Sequence, residues 1–514
     1  MKNWRYATAG LEAGLAGLGI AHLVAVIVNP GSAPVLVIGS TVVDLTPQPV
    51  KQWAIATFGS ADKIFLLSVI GVVAALLFAI AGLLARRWIG WGAGAMGVVG
   101  AVCIAAALLR PSANVSWAIP SLIAIAVAIG ALIALTKALA VAGRNGDGAA
   151  DPAADRDDTA HRSSRRSFLK LGGAAATVGA VSLLAGQWLI ANAQKAVKIA
   201  LPRAASPLPK LPTGLEEKIP GISAFRTPSN EFYRVDTALV VPTIDPADRS
   251  LTIDGDVDNP LVLNFEDLTS YEVIERDITM TCVSNEVGGP YVGAARWLGV
   301  RVSDVLADAG VRGGVDQILS RDIDGMTIST PIEALTDDRE ALLAFGMNGE
   351  QLSRERGFPV RLVTPRLYGF VGSTKWLTSL TATTYAKQQA YWTECGWDTD
   401  GTIHTQARID VPKPLAEVTA GEPGFIGGVA WAQGRSIAKV EVKVGDGPWQ
   451  QATLGADAGI DYWRQWYLPW TPESGSQRLQ VRATDGTGAV QTEKKAPPYP
   501  SGATGQQSLV VTGV

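Results

Sequence analysis

The chain has 514 residues, 47% of them hydrophobic, with 44 Lys and Arg against 47 Asp and Glu. A formal net charge of −3 excludes the basic balance of a nucleic-acid binder, and three cysteines exclude a disulfide framework, leaving at most one Cys282–Cys395 pair by count. The positive mean hydropathy is too apolar for an ordinary soluble protein, and the excess is local.

It sits in four apolar runs, about Tyr6–Val28, Ile64–Ala85, Trp88–Leu109 and Trp117–Ala142, each near or above the roughly 20 residues that cross a bilayer. Residues 1–143 therefore read as a four-helix transmembrane region. Lys2 and Arg5 precede the first run, Arg86 and Arg87 separate the second from the third, and several arginines follow the fourth, which predicts a cytoplasmic amino terminus. A haem held between helices needs two axial ligands, yet His22 is the one histidine in these runs and no Cys-x-x-Cys-His occurs. No haem is expected in this chain. Anchoring stands ahead of a quinone site as the role of the spans.

From 144 to 166 the composition turns to Asp, Arg, Gly, Ala and Ser, as in a flexible cytoplasmic linker. It ends in Ser164-Arg165-Arg166-Ser167-Phe168-Leu169-Lys170, followed by an Ala- and Gly-rich apolar run, so 167–192 resembles a twin-arginine export signal. The alternative is a plain fifth transmembrane helix. Both send the rest of the chain out of the cytoplasm. Uncut retention is expected over cleavage at Ala191-Asn192-Ala193, and the Pro-rich stretch 193–220 reads as a tether.

The exported part, 221–411, opens with short strands joined by polar turns. Its most suggestive residue is Cys282, which follows the strand-like Ile278–Thr281 and precedes Val-Ser-Asn-Glu-Val-Gly-Gly. A thiolate at a strand end facing a loop is a soft donor for a transition metal, and a small buried hydrophobe is the equal alternative. Ser303 is expected to cap a short helix that buries Val305 and Leu306. Further on, Arg361 and the segment Tyr368-Gly-Phe-Val-Gly-Ser-Thr-Lys-Trp offer cations and backbone amides to a phosphate-bearing group.

The order of these segments, with Met347-Asn348-Gly349-Glu350 and Gly357-Phe-Pro-Val-Arg361 between them, resembles the sulfite oxidase family of molybdenum enzymes, including its bacterial periplasmic members. The resemblance covers roughly Phe225–Val514. It implies an α+β molybdopterin domain whose molybdenum is held by the cofactor's dithiolene, by oxo ligands and by one protein thiolate. Cys282 matches that ligand and is the expected catalytic residue. Asn230, Tyr233, Asn348, Arg361, Gly372, Ser373 and Lys375 match cofactor-binding positions.

Two departures bear on substrate. Sulfite oxidases proper carry arginines soon after the cysteine and a tyrosine in a Gly-rich segment before a Pro, whereas this chain reads Cys282-Val-Ser-Asn-Glu286 and Asp324-Gly-Met-Thr327. Cations for an oxyanion would have to come from elsewhere, with Arg226, Arg296 and Arg366 as candidates.

From 412 to 514, short alternating runs with Gly-Asp-Gly and Asp-Gly turns suit an all-β immunoglobulin-like sandwich. They resemble the family's dimerisation domain, which implies a homodimer. The expected molecule is a multi-pass inner-membrane protein with an extracytoplasmic oxidoreductase domain. Oxygen-atom transfer on a small substrate is expected, sulfoxide or sulfite first, with electrons exchanged with a separate cytochrome or quinone. The competing reading is a non-catalytic membrane-tethered binding module on a degenerate molybdopterin fold.

Overall fold

The computed structural model describes residues 3–58, 61–111, 113–144, 157–193 and 198–514. These fall into two compact units, Met1–Val197 with Ala238–Thr243, and Lys198–Thr237 with Ile244–Val514.

In the first unit, α1 (Trp4–Val28), α2 (Pro34–Leu45), α3 (Gln48–Phe58), α4 (Asp62–Ala85), α5 (Ile89–Leu108), α6 (Ala118–Arg144) and α7 (Asp157–Ala193) follow one another. Four helical stretches, Trp4–Val28, Asp62–Ala85, Ile89–Leu108 and Val115–Ala140, are long and apolar enough to cross a membrane, and they coincide with the four expected runs. Small residues let α1 and α4 approach closely: a Cβ at Gly10 would lie 2.1 Å from the Phe78 carbonyl oxygen. Helix α7 begins ten residues before the expected boundary at 167, so the end of the expected linker is helical. Residues 145–156 of that linker, and the side chains of Arg165 and Arg166, lie outside the described residues.

In the second unit the expected tether is packed. The Ala205 amide donates to the Val273 carbonyl at 2.8 Å, and Leu201 and Ala204 rest on the main core. The elements are β1 (Leu251–Gly255), β2 (Leu261–Leu263), α8 (Phe265–Thr269), β3 (Val273–Thr281), β4 (Val292–Arg301), α9 (Val302–Ala309), β5 (Gln317–Asp322) and β6 (Thr327–Pro331). Then come α10 (Ile332–Thr336), β7 (Leu342–Met347), β8 (Glu350–Gln351), β9 (Arg361–Val363), α11 (Gly369–Gly372), β10 (Leu377–Thr383) and α12 (Tyr391–Glu394). One sheet runs β2-β1-β10-β5-β6; another runs β3-β4-β7-β8, with β9 also on β7. The core between them collects Ile253, Val300, Phe345, Leu362 and Leu380 from the strands and Val305 from helix α9 (Val302–Ala309).

Helix α9 corrects the capping expectation. It starts at Val302 with Arg301 in the cap position and no side-chain cap, and the Ser303 hydroxyl lies 3.4 Å from the Asp304 carboxylate instead. Val305 and Leu306 are buried as expected. The helix ends on Gly310 at φ 64, where a left-handed residue fits without strain.

The carboxy-terminal strands are β11 (Gln406–Val411), β12 (Glu417–Val418), β13 (Gly424–Trp431), β14 (Ile437–Val444), β15 (Trp449–Gln451), β16 (Thr453–Leu454), β17 (Arg464–Trp470), β18 (Gly475–Asp485) and β19 (Ser508–Gly513). They form two sheets, β11-β13-β17-β16 and β12-β19-β18-β14-β15, around one core that includes Ile426, Val440, Trp466 and Val481. Strand β11 pairs with β13, so it belongs to these sheets although it precedes the expected boundary at 412. All three cysteines are free, and the Cys282–Cys395 pair is not formed.

Candidate functional site

Cys282 stands just past the end of β3. The Cys282 amide donates to the Tyr291 carbonyl at 3.0 Å, and the Cys282 carbonyl accepts from the Asn285 amide at 3.0 Å, a tight turn that fixes where the side chain leaves the backbone. The Asn285 side-chain oxygen closes the turn by accepting from the Tyr291 amide at 2.8 Å. Cys282 is 9% exposed. Burial pushes its thiol up, against the amide and hydroxyl of Ser284 and the charge of Lys375, which pull it down. A metal cation bound there would displace the thiol proton to solvent and hold the thiolate.

Over this turn runs an irregular strap, residues 225–236, with no helix or strand of its own. Backbone groups without ladder partners must be satisfied by side chains. Tyr462 and Trp463 donate to the Phe225 carbonyl at 3.0 and 2.7 Å, and the Asn348 amide donates to Thr227 O at 3.0 Å and Ser229 Oγ at 3.2 Å. Arg356 donates to the carbonyls of Ser229, Phe232 and Tyr233. Lys375 reaches Asp236 at 2.8 Å. Tyr233 is half-buried, with its ring 6.5 Å from that of Tyr291; its phenol is pushed up by burial and by the Cys282 charge, while Arg361 and Arg356 oppose that rise. Asn230 is exposed on the strap.

Beneath the strap lies a surplus of positive charge. Arg361 opens β9, is 4% exposed, donates to the Arg356 carbonyl at 3.1 Å and lies over the Trp297 ring at 5.1 Å. Among the described residues no carboxylate lies within ion-pair distance of it, and burial lowers its pKa to about 10. Lys375 is lowered to about 8, chiefly by burial, with Asp236 working against the drop. Gly357, at φ 103, brings the two together: a Cβ there would meet Arg361 Cβ at 3.0 Å and Lys375 Cβ at 3.1 Å. The hydroxyls of Ser373 and Thr364 are buried without a hydrogen-bond partner. Gly372 sits where a Cβ would press on Thr364 at 2.8 Å. Cations that outnumber their carboxylates, beside orphaned hydroxyls, are costly unless an anion completes them. A phosphate-bearing group fits that need.

The structure thus gathers Cys282, Tyr233, Arg361, Gly372, Ser373 and Lys375, and it places Asn348 at the edge of the strap. Asn348 has φ 56 and Gly349 φ 86 in the two-residue turn between β7 and β8, and the Asn348 side chain is spent on the strap. Two substrate candidates are likewise engaged. Arg296 is paired with Asp277 at 2.7 Å and bonded to the Leu208 and Pro209 carbonyls, and Arg366 is paired with Asp461 at 2.9 Å. Arg226 is exposed. Two residues at the site escaped the sequence reading. Tyr368 is 2% exposed, accepts from the His404 amide at 3.4 Å and is raised to about 12, first by burial and also by the Cys282 charge. Its one signal was its place at the head of the Gly-rich segment. Arg356, in Arg-Glu-Arg, gave none.

Comparison with known proteins gives the following matches. The family model described as an oxidoreductase molybdopterin binding domain matches residues 238–392. Mitochondrial sulfite oxidase of Mus musculus is 29% identical over 320 residues, 52% of this chain and 58% of that protein. The chain therefore spans little more than half the length of that relative. The uncharacterized oxidoreductase YuiH of Bacillus subtilis is 32% identical over 152 residues, 30% of this chain and 73% of that protein. Among solved structures, the sulfane dehydrogenase SoxCD of Paracoccus pantotrophus matches with a TM-score of 0.50 and 25% identity, covering 56% of this chain and 81% of that one.

Proposed function

The chain belongs to the sulfite oxidase family of molybdopterin-dependent oxidoreductases, and from that membership we propose a membrane-anchored enzyme that moves an oxygen atom to or from a small extracytoplasmic substrate. Family membership implies a molybdenum-molybdopterin cofactor, which when bound supplies a metal able to exchange an oxygen atom with a substrate. The residues present fit it. Cys282 gives the metal its one protein thiolate. Arg361 and Lys375 would neutralise the phosphate, the orphaned Ser373 hydroxyl would be available to donate to it, and Gly372 would let the loop lie close. Asn230 and Tyr233 orient the pterin from the strap.

The observation that carries this reading is the buried thiol near two buried cations, Arg361 and Lys375, that share one carboxylate, the Asp236 partner of Lys375. Because Arg296 and Arg366 are already paired, a converging cation set for sulfite is not built from them, which favours a neutral acceptor such as a sulfoxide. The cytoplasmic amino terminus, the twin-arginine export route, the immunoglobulin-like dimerisation role of the carboxy-terminal sheets and a separate electron carrier complete the proposal.

The test is metal and pterin analysis of the purified protein, followed by turnover with sulfoxides and sulfite. About one molybdenum and one pterin per chain are expected. Cys282→Ser should keep the fold and the pterin while turnover drops at least ~100-fold, since a hydroxyl is a poor soft donor. Wild-type turnover in that variant rules out the assigned ligand. Folded protein lacking pterin, made in a host that supplies it, favours the non-catalytic module.

A further inference from the structure

His22 is the one histidine of the four long apolar stretches, and nothing described so far uses it. It sits on α1 where that helix meets α7, along a seam lined by Gly172, Gly179 and Gly186 of α7. A Cβ at Gly179 would lie 2.7 Å from the Leu15 carbonyl oxygen, and one at Gly186 would lie 2.6 Å from His22 Cδ2 and 3.1 Å from its Nε2. Gly186 therefore makes the room in which the imidazole stands. The next residue supplies its partner: Gln187 Nε2 lies 3.4 Å from His22 Nε2.

The pair is polar and its surroundings are not. Gln187 is exposed and His22 half-buried, and at the same ends of α1 and α7 the side chains of Ile27, Leu184 and Trp188 are exposed. Among the described residues neither His22 nor Gln187 has a second hydrogen-bond partner. Gln187 keeps its carbonyl oxygen, and the imidazole its other nitrogen, for something else. Water would satisfy both, but hydrocarbon cannot, so a polar pair on the lipid face of a spanning bundle marks a site. Trp188, next to Gln187, is a residue type that favours headgroup depth.

A ligand for this place must come from the bilayer, offer oxygens to an imidazole and an amide, and lay an apolar body along Ile27 and Leu184. A quinone has that chemistry. We infer that the α1–α7 seam at His22 and Gln187 binds the headgroup of a membrane quinone. Its role rests on the oxidoreductase reading above, for which it names the electron carrier. An imidazole donates to a quinone carbonyl or accepts from a quinol hydroxyl, because its two nitrogens differ by one proton. Oxidation of a quinol to the quinone releases two electrons and two protons, and reduction of a sulfoxide to a sulfide and water consumes the same.

The test places the full-length protein in phosphatidylcholine nanodiscs and titrates radiolabelled menaquinone-4. Expected is saturable binding of about one quinone per chain, roughly tenfold weaker in His22→Leu and in Gln187→Leu and largely kept in His22→Gln, which still donates. The carbonyl stretch of the bound quinone should lie below its value in lipid alone and return to it in His22→Leu, a change that loosened packing would not cause. Glu12→Gln, facing Gly172 farther along the same seam, should bind as wild type. Binding that does not saturate, equal affinity in wild type and both leucine variants, or an equal loss in Glu12→Gln overturns the inference. So does displacement of the quinone by phosphatidylglycerol, which would make the pair a lipid-headgroup site. Binding needs no molybdenum, so the two readings fail separately. Wild type that binds quinone but holds no pterin defeats the oxidoreductase; wild type that turns over with an artificial donor yet binds no quinone defeats the site.

Discussion

Asp322 shows how one buried side chain writes itself into pH dependence. It closes β5, is 7% exposed, and accepts from the amides of Asp324 at 2.8 Å and Met326 at 2.9 Å. Burial first, and the charge of Asp324 second, raise its carboxyl from an ordinary 3.8 to about 7, against the pull of the amides. The folded state then binds a proton that the unfolded state releases, so its contribution to stability is fullest below about 4 and is lost as pH rises through about 7. Asp322→Asn keeps an acceptor for both amides and removes the charge. The variant should match wild type at about pH 3 and exceed it at pH 8 by on the order of 1–4 kcal/mol. Denaturant midpoints at the two pH values check this, and an equal gain or loss at both would show that the carboxyl is not neutral in the folded state.

Among the elements, the link from Arg354 to Arg361 decides most about the site while looking least like a site. Gly357 is its pivot, since φ 103 is a backbone state that side chains rarely adopt and the space for a Cβ is taken by Arg361 and Lys375. Gly357→Ala should cost about 1–3 kcal/mol in strain and push the two cations apart. Its melting temperature and its pterin content should fall together, and an unchanged pterin content would mean that the cation spacing does not matter. Such a pivot is legible in Gly357-Phe-Pro-Val-Arg361 only through the family resemblance. What local pattern did reveal was Cys282 at a strand end and the burial of Val305 and Leu306. What it could not reveal were partnerships across the chain: Arg356 reads as a surface arginine until its carbonyl partners 123 to 127 residues away are known. Nor could it reveal that the hairpin uses the left-handed backbone of Asn348 and the strap its side-chain amide. Ser303 failed as a cap because the helix begins at Val302, two residues earlier than a capping Ser303 requires.

The whole molecule divides where composition changes, because the two halves solve different solvation problems. Helices α1, α4, α5 and α6 expose large apolar side chains such as Ile64, Val72, Leu76 and Val98, which a bilayer tolerates and water does not. The second unit instead closes its own cores, one between the sheets of β1 to β10, one between the carboxy-terminal sheets, and a third in which Phe225, Val283, Tyr368, Trp397 and Trp463 join them around the site. The tether is part of that closure, through Leu201 and Ala204 on the first core and Leu211 on the third. A chain beginning at Lys198 should therefore fold without the amino-terminal helices, whereas one beginning at Gly221 should lose the packing of Leu201, Ala204 and Leu211, on the order of 1 to 3 kcal/mol for each large apolar contact given up. The first should elute as a discrete species with one pterin per chain, at twice the chain mass if the carboxy-terminal sheets pair two copies; the second should melt lower. Equal melting of the two would show that residues 198–220 are a passive spacer, and aggregation of the longer one would show that its fold depends on the amino-terminal helices.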